Sequence, residues 1–268
     1  MVSSNASYYN DERIARVFEQ QEDFESDKPF YLKLLGDTSR KVLEVGSGTG
    51  RLSRALSKAG HEVVGVEKAE PMLARAQELL EQEEVPQDSR PSYEQGDVLG
   101  QSPPANDFEF VLIPEYTLGG FLDRADQERV LQYCNLALKP GGTLVIHTYL
   151  PNPSYFASLK LGHVGNAVRE EVATVPLEDT GEQVAITKTN HYSRVSGNVS
   201  SEVFYDVIAP DGTVRRTIKH VASHAFTPAE LDVLLRGSGL EPVEWYGDFD
   251  SSPLSEESHE LIVVAARP

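Results

Sequence analysis

Cysteine is nearly missing: the 268-residue chain holds one, Cys134. That excludes a disulfide framework and any CxxC metal motif. The single thiol falls in a helical pattern and reads as a small buried apolar residue rather than a nucleophile. Positive charge is also scarce, with 24 Lys and Arg against 42 Asp and Glu, a formal net charge of -18. A surface of that sign repels a phosphate backbone, which argues against a nucleic-acid substrate. Solubility or a salt-rich cytoplasm accounts for the charge equally well. No apolar run is long enough to span a bilayer. Met1-Val2-Ser3-Ser4-Asn5 lacks a charged segment followed by an apolar one, so no signal peptide and no membrane association are expected, and the cytoplasm is the expected location. Composition leaves the oligomeric state open.

What is present is a regular alternation of strand and helix. After a polar start with Tyr8 and Tyr9, Asp11–Phe18 has a helical pattern, and a second helix follows Lys28-Pro29 and stops at Gly36-Asp37. The expected elements are then a strand at Lys41–Val45, a helix at Arg51–Ala59 closed by Gly60, and a strand at Glu62–Val66. A helix at Pro71–Glu84, a short strand at Pro91–Gly96 and an apolar strand at Phe108–Ile113 come next. A helix at Asp126–Leu138 and a strand at Thr143–Tyr149 complete this part. Such alternation implies an α/β fold with a parallel, doubly wound sheet.

The rhythm breaks after Pro151. From about Val172 to His224 the pattern is β-rich, with strands at Val184–Thr187, Val199–Ile208 and Val214–Val221. Ser196-Gly197-Asn198 and Pro210-Asp211-Gly212 are the turns between them. Thr227–Gly237 then reads as a helix with Thr227 as N-cap, and Pro242–Tyr246 and Glu260–Ala266 as two last strands. Three stretches follow: 1–150, the N-terminal helices and first part of a nucleotide-type domain; 151–224, an inserted antiparallel β lid; and 225–268, which completes the first domain.

The stretch Glu44-Val45-Gly46-Ser47-Gly48-Thr49-Gly50 lies between the first strand and the next helix, where open α/β sheets bind ligands. Glycines at alternate positions allow a tight turn and a close ligand approach. A dinucleotide fingerprint would read GxGxxG; this one is GxGxG, one residue shorter. Glu67, ending the second strand, can accept hydrogen bonds from a ribose, which suits either ligand. Asp97, just past the third strand, can accept from an exocyclic adenine amine. Leu138-Lys139-Pro140-Gly141-Gly142 is a sharp stop and turn into the fifth strand.

Taken in this order, the glycine turn, the two acids and the KPGG turn resemble the class I methyltransferases that use S-adenosylmethionine. The resemblance implies a Rossmann-like seven-stranded sheet with helices on both faces and the inserted antiparallel β lid. It assigns Glu44, Gly46, Ser47, Gly48 and Gly50 to the methionyl part of S-adenosyl-L-methionine and Glu67 to its ribose. Lys68, Met72, Asp97 and Val98 surround the adenine, and Ile113 at the end of the fourth strand adds to the cofactor's surroundings. Met72 is equally a core residue, and Lys68 equally a surface charge. Glu22–Leu34, the β insertion and the segment Tyr246–Val264 further resemble bacterial small-molecule methyltransferases, the amino-sugar and glycine-type N-methyltransferases among them. Phe18 stands where such enzymes usually carry a tyrosine.

The methyl acceptor is then expected beyond Ile113-Pro114-Glu115-Tyr116-Thr117. No NPPY-type tetrapeptide of base-methylating enzymes stands there, and Gly120 occupies the place of a histidine found in some relatives. Glu115 is a candidate to bind or deprotonate an amine, or else an exposed loop acid. Tyr116 offers a ring to a cation or a hydroxyl to the acceptor. His147, near the end of the fifth strand, is a candidate base or a satisfied structural residue. Tyr149, Tyr155, His224 and Trp245 are weaker lining candidates. His220 and His224, four apart on a strand pattern, lack a third ligand, so no metal is expected. The expected activity is methyl transfer to a small-molecule acceptor, with an amine favoured over a hydroxyl. A cofactor-binding regulatory module and a nicotinamide-dependent oxidoreductase are the alternatives.

Overall fold

The computed structural model describes residues 9–10, 26–83, 85, 90–150, 170–177 and 181–268. The expected helix at 11–18, with Tyr8, Phe18 and Tyr155, lies outside them.

Two sheets make up the structure. The larger has seven strands: β1 (Lys41–Val45), β2 (Glu62–Glu67), β3 (Ser92–Gln95), β4 (Phe108–Ile113), β5 (Leu138–Tyr149), β10 (Glu241–Tyr246) and β11 (Glu260–Ala266). Their order across the sheet is β10-β11-β5-β4-β1-β2-β3. β1 to β5 run parallel, while β11 is antiparallel to both β5 and β10. Strand order reverses between β1 and β4, and at such a switch point the loops at the strand ends part to form a crevice.

Side-chain alternation splits the core by face. On one face Leu144, Ile146, Leu261 and Val263 pack with Val130, Leu131, Leu234 and Leu235 from α4 (Arg124–Ala137) and α5 (Pro228–Gly237). On the other, Val42, Leu112, Val145 and Ile262 pack with Phe30, Tyr31 and Leu35 of α1 (Asp27–Leu35) and Leu52 and Leu56 of α2 (Arg51–Lys58). The near-continuous apolar runs of β1, β4 and β11 follow from this double coverage. The remaining helix, α3 (Glu70–Gln82), packs against β2 and β3.

Several boundaries differ from the sequence reading. β5 begins at Leu138 rather than Thr143, because Leu138 already pairs with Phe108; Thr143 pairs with Phe110, so Lys139–Gly142 bulges out within the strand. Gly141 takes a φ of 76° there, and its N–H donates to the carbonyl of Arg267. α4 therefore ends at Ala137. β3 covers only Ser92–Gln95.

The smaller sheet is the insertion, four antiparallel strands in the order β6 (Glu170–Leu177), β7 (Glu182–Tyr192), β8 (Asn198–Ile208) and β9 (Val214–His224). β6 is the strand that the pattern did not separate: it carries Pro176, which an edge strand tolerates. The end of β9 rests on a 3-10 turn at Thr117–Gly120, where a side chain on Gly119 would meet the carbonyl of His224 at 3.1 Å. Thr227 caps α5 as expected, accepting from the N–H of Glu230.

Phe226, between β9 and α5, has no exposed surface. Phe226→Ala should lower stability by about 3–5 kcal/mol, read as a shift of the urea midpoint.

Candidate active site

The glycine turn is built as its sequence requires. Gly46, Gly48 and Gly50 have φ of 73°, 53° and 75°. The turn is tied to β2 by the N–H groups of Gly46 and Ser47, which both donate to the carbonyl of Val66, at 2.8 and 3.2 Å. The three glycines serve different ends. A Cβ on Gly46 would strike Thr117 and one on Gly50 would enter the ring of Tyr93, whereas a Cβ on Gly48 would meet nothing within 4 Å. Gly48 thus faces open space, with α2 beginning three residues on. Two buried hydroxyls at this end of the sheet, Ser47 Oγ and Tyr31 OH, have no hydrogen-bond partner among the described residues.

Glu67 sits beside the turn. Its carboxylate accepts from Gly48 N–H at 3.0 Å and from Ala69 N–H at 2.7 Å. Burial raises its pKa, and these amide donors only partly oppose the rise. Lys68 and Asp97 come together as an ion pair at 2.8 Å, and Leu99 N–H also donates to Asp97. Burial works upward on the Asp97 carboxyl, but the Lys68 ammonium and that amide hold it below its ordinary value. Val98 is half-buried against the core. Met72 is buried beside Ala69, with Tyr9 packed on both. Ile113 is fully buried in the core, so none of its surface is accessible to a ligand.

Glu44 faces inward, to the α1 and α2 side. Ser53 donates to its carboxylate. Burial first, and the nearby Glu115, push its pKa up to about 8, against the Ser53 hydrogen bond and Arg51. Arg51, at the first position of α2, was not singled out by its sequence, yet it is the centre of this side. It grips Asp27 of α1 with two hydrogen bonds of 2.8 and 2.6 Å and also pairs with Glu115. Asp27 is fully buried. Burial works against the guanidinium's charge, but the two carboxylates outweigh it and raise the Arg51 pKa.

At the end of β4, Glu115 and Tyr116 adopt φ of 47° and 61°. Two successive non-glycine residues in the left-handed region cost of order 1–3 kcal/mol each, a strain found where the backbone is held for function. Both are anchored on His147: Glu115 N–H donates to His147 Nδ1 at 3.3 Å, and Tyr116 N–H to the His147 carbonyl at 3.2 Å. Since Nδ1 accepts, the proton sits on Nε2, which donates to Glu260 at 2.8 Å. Both nitrogens of His147 are therefore committed, and the ring has no exposed surface. Of the two expected roles, base and satisfied structural residue, this hydrogen bonding matches the second. Tyr116 OH donates to the same Glu260 carboxylate at 3.3 Å. Around these groups the ring of His147 lies 4.8 Å from that of Tyr116 and 4.7 Å from that of Phe249, and Tyr149 lies 5.5 Å from Tyr116.

Other candidates fall elsewhere. Trp245 packs on the opposite face of the sheet. His220 is exposed on β9. His224 is buried, held between Asn198 and Glu230 at 2.8 and 2.9 Å. Tyr149 does join the site's rim, clustered with Tyr192 and Val199 of the insertion.

Residues 42–142 match the methyltransferase domain family. The chain is 27% identical over 230 residues to the cypemycin N-terminal methyltransferase of a Streptomyces species, covering 85% of this chain and 83% of that protein. It is 31% identical to a ubiquinone biosynthesis O-methyltransferase of Coxiella burnetii over 110 residues, 41% of this chain and 43% of that one. The CcbJ methyltransferase structure from Streptomyces caelestis superposes with a TM-score of 0.76 at 25% identity, covering 96% of each chain.

Two outcomes follow from the geometry. Gly48→Ala should fold, losing only about 1–2 kcal/mol for a left-handed alanine, yet lose at least about tenfold in S-adenosylmethionine affinity by calorimetry. Gly50→Ala, which overlaps Tyr93, should cost about 2–5 kcal/mol in stability. The second outcome concerns pH. A carboxyl whose folded pKa lies above its unfolded one stabilises the fold fully in acid and loses that contribution as pH rises. For Glu44 the window runs from its ordinary 4.5 to about 8. Ligand-free Glu44→Gln should match the parent protein near pH 4 and exceed its stability by about 1–3 kcal/mol near pH 9, read by chemical denaturation.

Proposed function

We propose that this chain, a class I S-adenosylmethionine-dependent methyltransferase, methylates the nitrogen of a small-molecule amine. The observation that carries the choice of nitrogen is the occupied state of His147. A hydroxyl acceptor needs a base as it reacts, and the histidine nearest the acceptor end of the sheet has both ring nitrogens engaged within the protein. An amine supplies its own nucleophilic lone pair once deprotonated. The surroundings also suit a cation: carboxylates and aromatic rings line this end, and Arg51 is already engaged by Asp27 and Glu115.

The residues present fit the cofactor. The open side of Gly48 leaves room against the main chain, and Ser47 Oγ and Tyr31 OH are buried polar groups without partners among the described residues. In this reading Glu44 and the glycine turn hold the methionyl end, Glu67 the ribose, and Asp97 with Lys68, Val98 and Met72 the adenine. When bound, S-adenosylmethionine supplies a methyl group already activated on a sulfonium. What the chain adds is position and exclusion of water. The insertion serves the second purpose as a lid, its β9 seated on the turn after β4 and its Tyr192 and Val199 against Tyr149.

The relatives support nitrogen over oxygen by extent. The relative whose name gives an N-terminus as its methylated group aligns with 85% of this chain. The ubiquinone biosynthesis O-methyltransferase of Coxiella burnetii aligns with 41%.

The test pairs small amines with their alcohol counterparts, using purified protein and S-adenosylmethionine, with products read by mass spectrometry. Methylated amines are expected. Transfer to hydroxyls alone overturns the choice of nitrogen, and tight cofactor binding without any transfer favours a regulatory module. Glu67→Ala and Asp97→Ala should each weaken cofactor binding about tenfold or more with the melting temperature nearly unchanged.

A further inference from the structure

Two carboxylates stand at the acceptor end of the sheet, and they differ in one respect. Glu115 is ion-paired to Arg51. Glu260 has no lysine or arginine partner among the described residues. Its hydrogen-bond donors are His147 Nε2–H and the Tyr116 hydroxyl. Because His147 Nδ1 accepts the Glu115 N–H, the ring is neutral, and the charge on Glu260 is solvated by two uncharged donors rather than cancelled. Its side chain is buried except for about a fifth of its surface, 21%. An uncompensated, mostly buried carboxylate is costly unless a cation joins it. The rings of Tyr116, Tyr149 and Phe249 gather around the same place, and aromatic faces attract cations that have shed water.

We infer that Glu260, the first residue of β11, receives the acceptor's ammonium, with Tyr116 and His147 aiming its carboxylate. The inference rests on the reading of the chain as an amine methyltransferase and names the residue that recognises the amine. The geometry also says which oxygen is available. Oε2 accepts from His147 at 2.8 Å and from Tyr116 at 3.3 Å, while among the described residues Oε1 has only the longer Tyr116 contact at 3.4 Å. Oε1 therefore faces the ammonium. One N–H proton passes to water before the methyl arrives, which leaves the nitrogen neutral with its lone pair. Glu115 has a separate duty: held by Arg51, it fixes the loop that carries Tyr116.

Sinefungin tests this without knowledge of the acceptor, because it carries an ammonium where S-adenosylmethionine carries its methyl. S-Adenosylhomocysteine lacks that group. The ratio of their dissociation constants, measured by calorimetry on the full chain, reports a carboxylate at the acceptor position. The parent protein should prefer sinefungin. Glu260→Gln, which keeps the hydrogen-bond acceptor for Tyr116, should lower that preference at least about fivefold with S-adenosylhomocysteine affinity unchanged. An equal preference in Glu260→Gln overturns the assignment while leaving amine methylation standing. Failure of the parent protein to bind either nucleoside overturns the cofactor reading and this inference with it.

Discussion

The geometry of this site hangs on one guanidinium. Arg51 opens the helix that follows the glycine turn, so the turn determines where it stands. From there it reaches back to a fully buried Asp27 on α1 and across to Glu115 after β4. Three segments distant in sequence are thereby held by one planar group whose fork suits two carboxylates at once. Buried charge is expensive, and breaking such a cluster leaves an unpaired ion in the interior. The arrangement thus adds less to net stability than to uniqueness: α1 and the loop after β4 have one low-energy placement relative to the turn. The neighbouring Glu44, pushed towards its neutral form, keeps a third carboxylate charge from crowding the pair.

A second chain of contacts runs parallel to the first. His147 lies on the same face of β5 as Val145 and Tyr149, and its ring and carbonyl together pin two left-handed residues. That backbone conformation is not one glutamate and tyrosine choose. The histidine holds it, and in return its own tautomer is set, which orients Glu260. The groups at this end fix one another, with Glu260 at the edge of the set.

Much of the fold was legible because it follows from local patterns. Alternating strands and helices, the capped start at Thr227 and the spaced glycines depend on residues near one another in the chain. The placement of the two acids proposed for the cofactor follows for a related reason: Glu67 and Asp97 end successive strands of a parallel sheet, so they come to one edge by topology alone. The partners of the acceptor site were not legible. Asp27 and Arg51 meet only because α1 packs on α2, and nothing in either neighbourhood marks them as a pair. Glu260 was read as merely the start of a strand, since its place depends on β11 running against β5. His147 could be read as a base or as a satisfied structural residue, and only the left-handed backbone after Ile113 shows that its Nδ1 is occupied. The bulge at Lys139–Gly142 likewise hid the true start of β5, because strand pairing at Leu138 precedes the glycines that were taken for the turn.

The reversal of β11 has a consequence for the order in which the protein can become whole. In a parallel strand the residue nearest the ligand edge is the last one; in β11 it is the first, Glu260, opposite Tyr149. A chain emerging from its N-terminus can lay down β1 to β5, and with them every residue assigned to the cofactor. It can then build the whole insertion while the edge of β5 stays bare and His147 has no carboxylate to face. Only when the strand at 260–266 slides in beside β5 does His147 gain its partner Glu260. The residues proposed for the cofactor and the one proposed for the acceptor thus enter the sheet at different times, the first with β1 to β5 and the second with its last strand.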